Sequence, residues 1–198
     1  MSRPLPRLLV QMSGAPGTGK STLARELAPR IGAVILGHDV TKTALLDADI
    51  PWEQAGRASY ETLYALARAL LAQRRSVIID SPCFYQRILD EGLQLATDAG
   101  ARYCYLECSV PDLAEIARRL RERAPRRSQR RDRHTPPPDA PAAARPAGDA
   151  LFETWRGQMK RPPTPCLRID TGQPLAASLP RILAYLLPGH RARDETPA

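Results

Sequence analysis

Residues 14–21 read G-A-P-G-T-G-K-S, and this stretch constrains the chain more than any other. It fits G-x-x-x-x-G-K-[ST], a loop whose glycines let successive amides turn inward around phosphate oxygens. The lysine neutralises the β- and γ-phosphates, and the final hydroxyl ligates magnesium. Such a loop needs a strand before it and a helix after it. Residues 7–12 (R-L-L-V-Q-M) form a short apolar run read as a buried strand, and residues 20–30 carry Leu23 and Leu27, followed by Ile31, at helical spacing before a stop at Gly32. Gly14, Ala15, Pro16, Gly17, Thr18, Gly19, Lys20, Ser21 and Thr22 are therefore the expected ATP-binding residues, with Ser21 also on Mg2+. No G-x-G-x-x-G followed by a ribose-binding acid is present, so a dinucleotide fold is the weaker alternative.

The rest of the chain repeats the alternation. Residues 33–37 (A-V-I-L-G) and the β-branched run 76–80 (S-V-I-I-D) read as strands, as do 101–108 and 166–170. Between them, residues 52–73 place Leu63, Leu66, Ala67, Leu70 and Leu71 at helical spacing, and helices follow over 86–98, 111–123 and 175–187, the last bent or started by Pro180. The expected fold is α/β: three layers, a parallel five-stranded sheet with helices on both faces. A chain of 198 residues suits one domain over residues 1–198. Residues 124–149 lack the apolar side chains to fold alone and are expected to be mobile or extended. Order returns with Leu151, Phe152 and Trp155, and residues 188–198 are expected to fray.

Several side chains stand where chemistry would need them. Asp80 ends a buried strand beside the loop, where a carboxylate can hold magnesium or its bound water. Asp39 is read at the end of the strand after the loop's helix and begins D-V-T-K with Lys42. It is either an N-cap for the following helix or a general base for an acceptor hydroxyl. Arg87 can reach a phosphate or acceptor from the start of the next helix, or lie solvated on its surface. Trp52, Tyr60, Phe84 and Tyr85 are candidates to line an acceptor pocket. Cys83, Cys104, Cys108 and Cys166 are scattered with no C-x-x-C pair, so a zinc site is poorly supported and reduced thiols are expected.

The chain's formal charge is +8, and of its 29 basic residues only Lys20, Lys42 and Lys160 are lysines. Between Arg118 and Arg133 stand nine arginines and two acids, so this window holds +7 of that charge. Such a run is a solvated face, a nucleic-acid tail or a phosphate-clamping lid. No stretch reaches the ~18 apolar residues of a spanning helix, and the N-terminal apolar run is too short for a secretory signal, so a cytoplasmic protein without membrane contact is expected.

These residues resemble the P-loop kinases of the nucleotide-kinase-like group, especially the AAA-33-type ATP-binding proteins that include the kinase domain of phage-type polynucleotide kinase. Zeta toxins and chloramphenicol phosphotransferases are more distant relatives. The resemblance runs from Leu8 to about Leu187 and is weakest over 124–165. It implies a three-layer P-loop fold. Asp39 and Lys42 match the family's D-x-x-R or D-x-x-K, with Asp39 as catalytic base; Asp80 and Arg87 match a strand-end Asp followed by an arginine. The lid pattern R-L-R-x-R is matched by Arg119, Leu120, Arg121, Glu122 and Arg123, within an Arg- and Pro-rich lid over residues 119–150. Where polynucleotide kinases often continue Asp-Thr-Asn, this chain has Asp80-Ser81-Pro82, which weakens a nucleic-acid acceptor more than it weakens the reaction.

The expected function is an ATP- and Mg2+-dependent kinase transferring the γ-phosphate to a hydroxyl of a small molecule. Asp39, Lys20, Arg119 and Arg123 are its expected catalytic residues, and Asp39, Lys42, Tyr85 and Arg87 its substrate contacts. Ser21 and Asp80 are expected on the metal. Two alternatives stand beside it, a polynucleotide 5′-hydroxyl kinase and a non-catalytic nucleotide-dependent switch. The acceptor's identity, ATP versus GTP preference and oligomeric state stay open.

Overall fold

The computed structural model describes residues 5–142 and 147–189. Residues 143–146 of the expected lid and 190–198 of the expected tail lie outside the described residues. The centre is β1 (Leu8–Ser13), buried at every position. It pairs in parallel with β3 (Ser76–Asp80) on one side and β4 (Arg102–Ser109) on the other, while β2 (Ala33–Gly37) and β5 (Cys166–Asp170) form the edges, giving the order β2-β3-β1-β4-β5. On one face of β1, Leu8, Val10 and Met12 pack toward α1 (Lys20–Ile31) and α7 (Leu175–Leu186); on the other, Leu9 packs toward α3 (Trp52–Ala72) and α4 (Gln86–Asp98), while the buried Gln11 side-chain amide donates to the Ser81 hydroxyl at 3.2 Å. The α/β sheet with helices on both faces is the one expected.

Boundaries differ from the periodic reading by a residue or two, with one difference that matters for chemistry. β2 ends at Gly37, and α2 (His38–Asp47) starts at once with Gly37 as its N-cap. Asp39 therefore neither ends the strand nor caps the helix. It lies in the first turn of α2, where a negative charge faces the positive end of the helix dipole. α2 packs on α3 through buried His38, Lys42 and Leu46. α7 runs through Pro180 from a start at Leu175, since Ile182 and Leu186 bury fully in the core and outweigh one lost backbone hydrogen bond.

The side of the sheet beyond β4 carries α5 (Leu113–Glu122), whose N-cap Asp112 accepts from the Ala114 amide at 2.8 Å, and α6 (Asp149–Gln158). Val110, Ile116, Leu120 and Phe152 form a small separate core beneath them. The described residues of 124–148 contain no α-helix or strand, yet Ser128, Arg130 and Ala140 are buried. Hydrogen bonds rather than apolar area seat this segment. Cys83, Cys104 and Cys108 are buried and Cys166 is exposed, all as free thiols. Among the described residues no helix is long and apolar enough to cross a membrane.

Candidate active site

The loop between β1 and α1 has Gly14, Gly17 and Gly19 at positive φ, with Gly19 capping α1 in the left-handed region. Only glycine takes that series without strain, and it turns the first amides of α1 outward as unpaired donors. Thr18 closes the turn by donating to the Ala15 carbonyl at 2.8 Å. The Lys20 ammonium donates to the carbonyls of Gly14 and Ala15 at 2.8 and 3.0 Å, which holds it across the loop. Across the sheet edge, Thr171 donates to the Thr18 carbonyl at 2.6 Å and ties the loop to the end of β5.

This loop opens into a cleft of about 1660 Å³ at the carboxyl edge of the sheet. A single ligand pocket is usually ~300–1,000 Å³, so the cleft has room for two reactants. Pro16, Gly17, Gly19, Lys20, Ser21 and Thr22 line it, whereas Gly14, Ala15 and Thr18 face a smaller cavity behind the loop.

Two carboxylates meet in this cleft. Asp80 ends β3 directly beside Gly37 in the ladder, two residues before Asp39. Burial pushes the Asp80 carboxyl up, while the Lys20 ammonium and the Ser21 hydroxyl pull it back toward the ionised form. One carboxylate next to one hydroxyl, at the mouth of a phosphate-type loop, is a donor set that fits magnesium, which keeps most of its waters and takes phosphate oxygens. Asp39 lines the cleft from α2, and its Oδ2 accepts from the Gln129 side-chain amide at 2.6 Å.

Behind Asp39, α2 is anchored by polar groups. The Ser59 hydroxyl donates its one proton to the Gly56 carbonyl at 2.8 Å, so at its 3.0 Å contact with His38 it accepts from Nδ1–H. The His38 ring stacks on Tyr60 with centroids 4.2 Å apart, and burial lowers its pKa to about 4. Lys42 does not reach the cleft. Its ammonium lies over the Trp52 ring, and burial lowers its pKa to about 8.

The arginine run divides by environment. Arg119, Arg123, Arg126 and Arg130 line the cleft. Arg119 is fixed between Glu115 at 2.6 Å and the Thr171 carbonyl at 2.8 Å. Arg123 donates to the Arg130 carbonyl at 3.0 Å, and its guanidinium is pulled down by burial and up by the charge of Asp39. Outside the cleft, Arg118 pairs with Glu115 and Glu122, Arg127 is bidentate to Asp139, and Arg133 pairs with Asp149. Arg87, at the start of α4, is exposed, bonded to Glu61 at 2.6 Å and absent from the cleft lining.

The far wall is aromatic. Trp52, Phe84 and Tyr85 line the cleft, while Tyr60 is stacked away under His38. They are joined by Trp155 of α6, 5.7 Å from Phe84 between centroids, with the Arg130 guanidinium 5.6 Å above its ring. Sequence reasoning missed Gln129, Trp155 and Thr171 as cleft residues. Thr171, directly after the strand-end Asp170, was findable from the rule that ligands of open α/β sheets gather at the carboxyl ends of strands.

Known structures share this architecture. A sugar kinase from Janibacter sp. HTCC2649 is 20% identical with a TM-score of 0.60, the match covering 91% of this chain and 94% of that one. A gluconokinase from Sinorhizobium meliloti 1021 is 20% identical with a TM-score of 0.58, covering 93% of each chain. The APS kinase CysC of Mycobacterium tuberculosis, in complex with AMPPNP and APS, is 19% identical with a TM-score of 0.58, covering 92% of this chain and 99% of that one. At these identities the likeness is one of fold, which this chain shares with the three kinases. An uncharacterized protein of Mycobacterium tuberculosis is 31% identical over 114 residues, which cover 52% of this chain and 23% of that protein. The match thus spans less than a quarter of that relative's length. Residues 9–138 match the AAA-33 model, an AAA domain, and the chain belongs to that family.

Proposed function

We propose that the protein is an ATP- and magnesium-dependent phosphotransferase that moves the γ-phosphoryl group to a hydroxyl of a small molecule, with Asp39 as general base. The observation that carries this reading is the shared cleft: Lys20, Ser21, Asp80 and Asp39 line one space large enough for nucleotide and acceptor together. The loop amides and Lys20 bind the β- and γ-phosphates. Ser21 and Asp80 would hold the magnesium, which supplies charge neutralisation on the phosphate oxygens. Arg119 and Arg123, from the lid side, face the charge that spreads over the moving phosphoryl group.

Asp39 takes the acceptor's hydroxyl proton as that oxygen bonds to the γ-phosphorus. The bond from γ-phosphorus to the β–γ bridging oxygen breaks in the same displacement, and ADP leaves. Residues 119–130, which wall one side of the cleft, would act as a lid that slows transfer to water. Trp52, Phe84, Tyr85 and Trp155 offer the acceptor flat apolar faces, which suits a ring or chain bearing the reactive hydroxyl.

A polynucleotide 5′-hydroxyl is the second reading, favoured by Trp155 beneath the Arg130 guanidinium, a stacking surface beside a cation. The test is a screen of hydroxylated small molecules and 5′-hydroxyl oligonucleotides with MgATP, following products by mass. A phosphorylated small molecule supports the first reading. Phosphorylated oligonucleotide, with acceptor affinity falling steeply in salt, supports the second. ADP formation that no acceptor accelerates points instead to a nucleotide-dependent switch.

A further inference from the structure

We infer that Gln129 is a positioning residue for Asp39, so that seating of the arginine-rich segment and orientation of the base are one event. This rests on Asp39 being the base, as proposed above. The segment is docked on α2 by an unbroken run of contacts. The Arg127 guanidinium donates to the Leu46 carbonyl at 2.6 Å, the Ser128 amide to Thr43 Oγ1 at 3.3 Å, and the Ser128 hydroxyl, also 2.9 Å from Thr43 Oγ1, lies 3.1 Å from the Asp39 carbonyl. At the end of that run the Gln129 amide donates to Asp39 Oδ2 at 2.6 Å, a separation of 90 residues along the chain. Ser128 is buried and Gln129 lines the cleft, so the last contact of the dock is also a wall of the reaction space.

Chemistry gives that contact a role. A carboxylate on the first turn of a helix rotates about its Cβ–Cγ bond, and one donor on Oδ2 both stops the rotation and leaves Oδ1 as the oxygen able to take a proton. An amide donor suits the task, since at any working pH it cannot itself take the proton. The charged groups acting around Asp39 are His38 and Lys42 of α2, Asp80 of β3, and Arg123 following α5. The hydrogen bond observed to the Asp39 carboxylate among the described residues comes from Gln129, which makes this amide its orienting partner. When residues 126–130 leave α2, the base loses that donor, so ATP in an open cleft meets a carboxylate without fixed orientation.

The test uses the full chain with MgATP and water as the acceptor, in which water's oxygen bonds to the γ-phosphorus, its proton passes to Asp39, and ADP and phosphate form. Gln129→Glu keeps the size of the side chain and removes the donor; Gln129→Ala removes the side chain. Thermal melting and the KM for ATP show whether each variant is folded. The expected result in both variants is a KM for ATP within about twofold of wild type and a kcat lower by roughly ten- to a hundredfold, a split that a merely structural loss would not give. Wild-type kcat in both variants, with Asp39→Asn inactive, would overturn the positioning role and leave the base in place. Turnover undiminished in Asp39→Asn removes the base assignment and this inference with it.

Discussion

The Lys42 ammonium lies 3.3 Å from the centroid of the Trp52 ring, buried between α2 and α3. Burial outweighs the attraction of ring and Asp39 and lowers its pKa from 10.5 to about 8. Between those values the unfolded chain holds a proton that the folded chain does not, so stability rises with pH across the window, at less than about 1.4 kcal/mol per pH unit. Chemical denaturation of wild type and Lys42→Met at a series of pH values should show the wild-type rise and a flatter line in the variant. Parallel lines would mean that Lys42 is fully charged throughout.

His38 acts at the other end of the scale. With its folded pKa at about 4 against 6.5 unfolded, the unfolded chain alone gains a proton as pH falls through that range, and the fold loses about 3 kcal/mol by pH 4, with no further loss from this group below it. His38→Asn keeps a donor for Ser59 and removes the titration. Its acid unfolding curve should lack the loss between pH 6.5 and 4, and an unchanged curve assigns the acid sensitivity elsewhere.

Gly14 is held at φ +130°, and a Cβ there would sit 2.3 Å from the Cys108 carbonyl oxygen and 2.7 Å from Thr18 Oγ1. Backbone of β4 cannot yield that distance. Gly14→Ala should cost on the order of 2–4 kcal/mol and abolish ATP binding, seen as a lowered melting temperature that ATP no longer raises. A variant melting like wild type shows that the loop can move away from β4.

Arg87 is bonded to Glu61 on the surface, with 60% of its side chain exposed. A pair this exposed adds little, because solvent screens it. Arg87→Ala should leave ATP turnover within about twofold of wild type; a larger fall would bring this arginine into the reaction.

The contrast between Gly14 and Arg87 explains what could be read from the chain. Residues 14–22 are contiguous, so their chemistry and their flanking strand and helix are visible in one line of sequence. Asp80 was legible for a similar reason, as the carboxylate that ends an apolar run. Asp39 lines the cleft, but from the first turn of α2 and not from the end of β2, because the strand passes straight into the helix at Gly37. Arg87 and Lys42 matched a motif, but what decided their surroundings was Glu61 and Trp52, brought beside them by packing of helices distant in sequence. The charge of the arginine run is also redistributed by the fold: Glu115, Asp139 and Asp149, all outside the window counted from the sequence, neutralise part of it. Gln129 gave no signal, since nothing in a run of arginines tells which neutral neighbour will meet a carboxylate 90 residues away.

If Asp39 accepts the proton in phosphoryl transfer, one isosteric change, Asp39→Asn, removes the acceptor of that proton. Binding of MgATP and its turnover should be measured side by side in the variant and wild type. The expected result is an affinity within about threefold of wild type and a turnover at least a hundredfold lower, in the range that loss of a general base produces. Turnover within tenfold of wild type at equal affinity would contradict it.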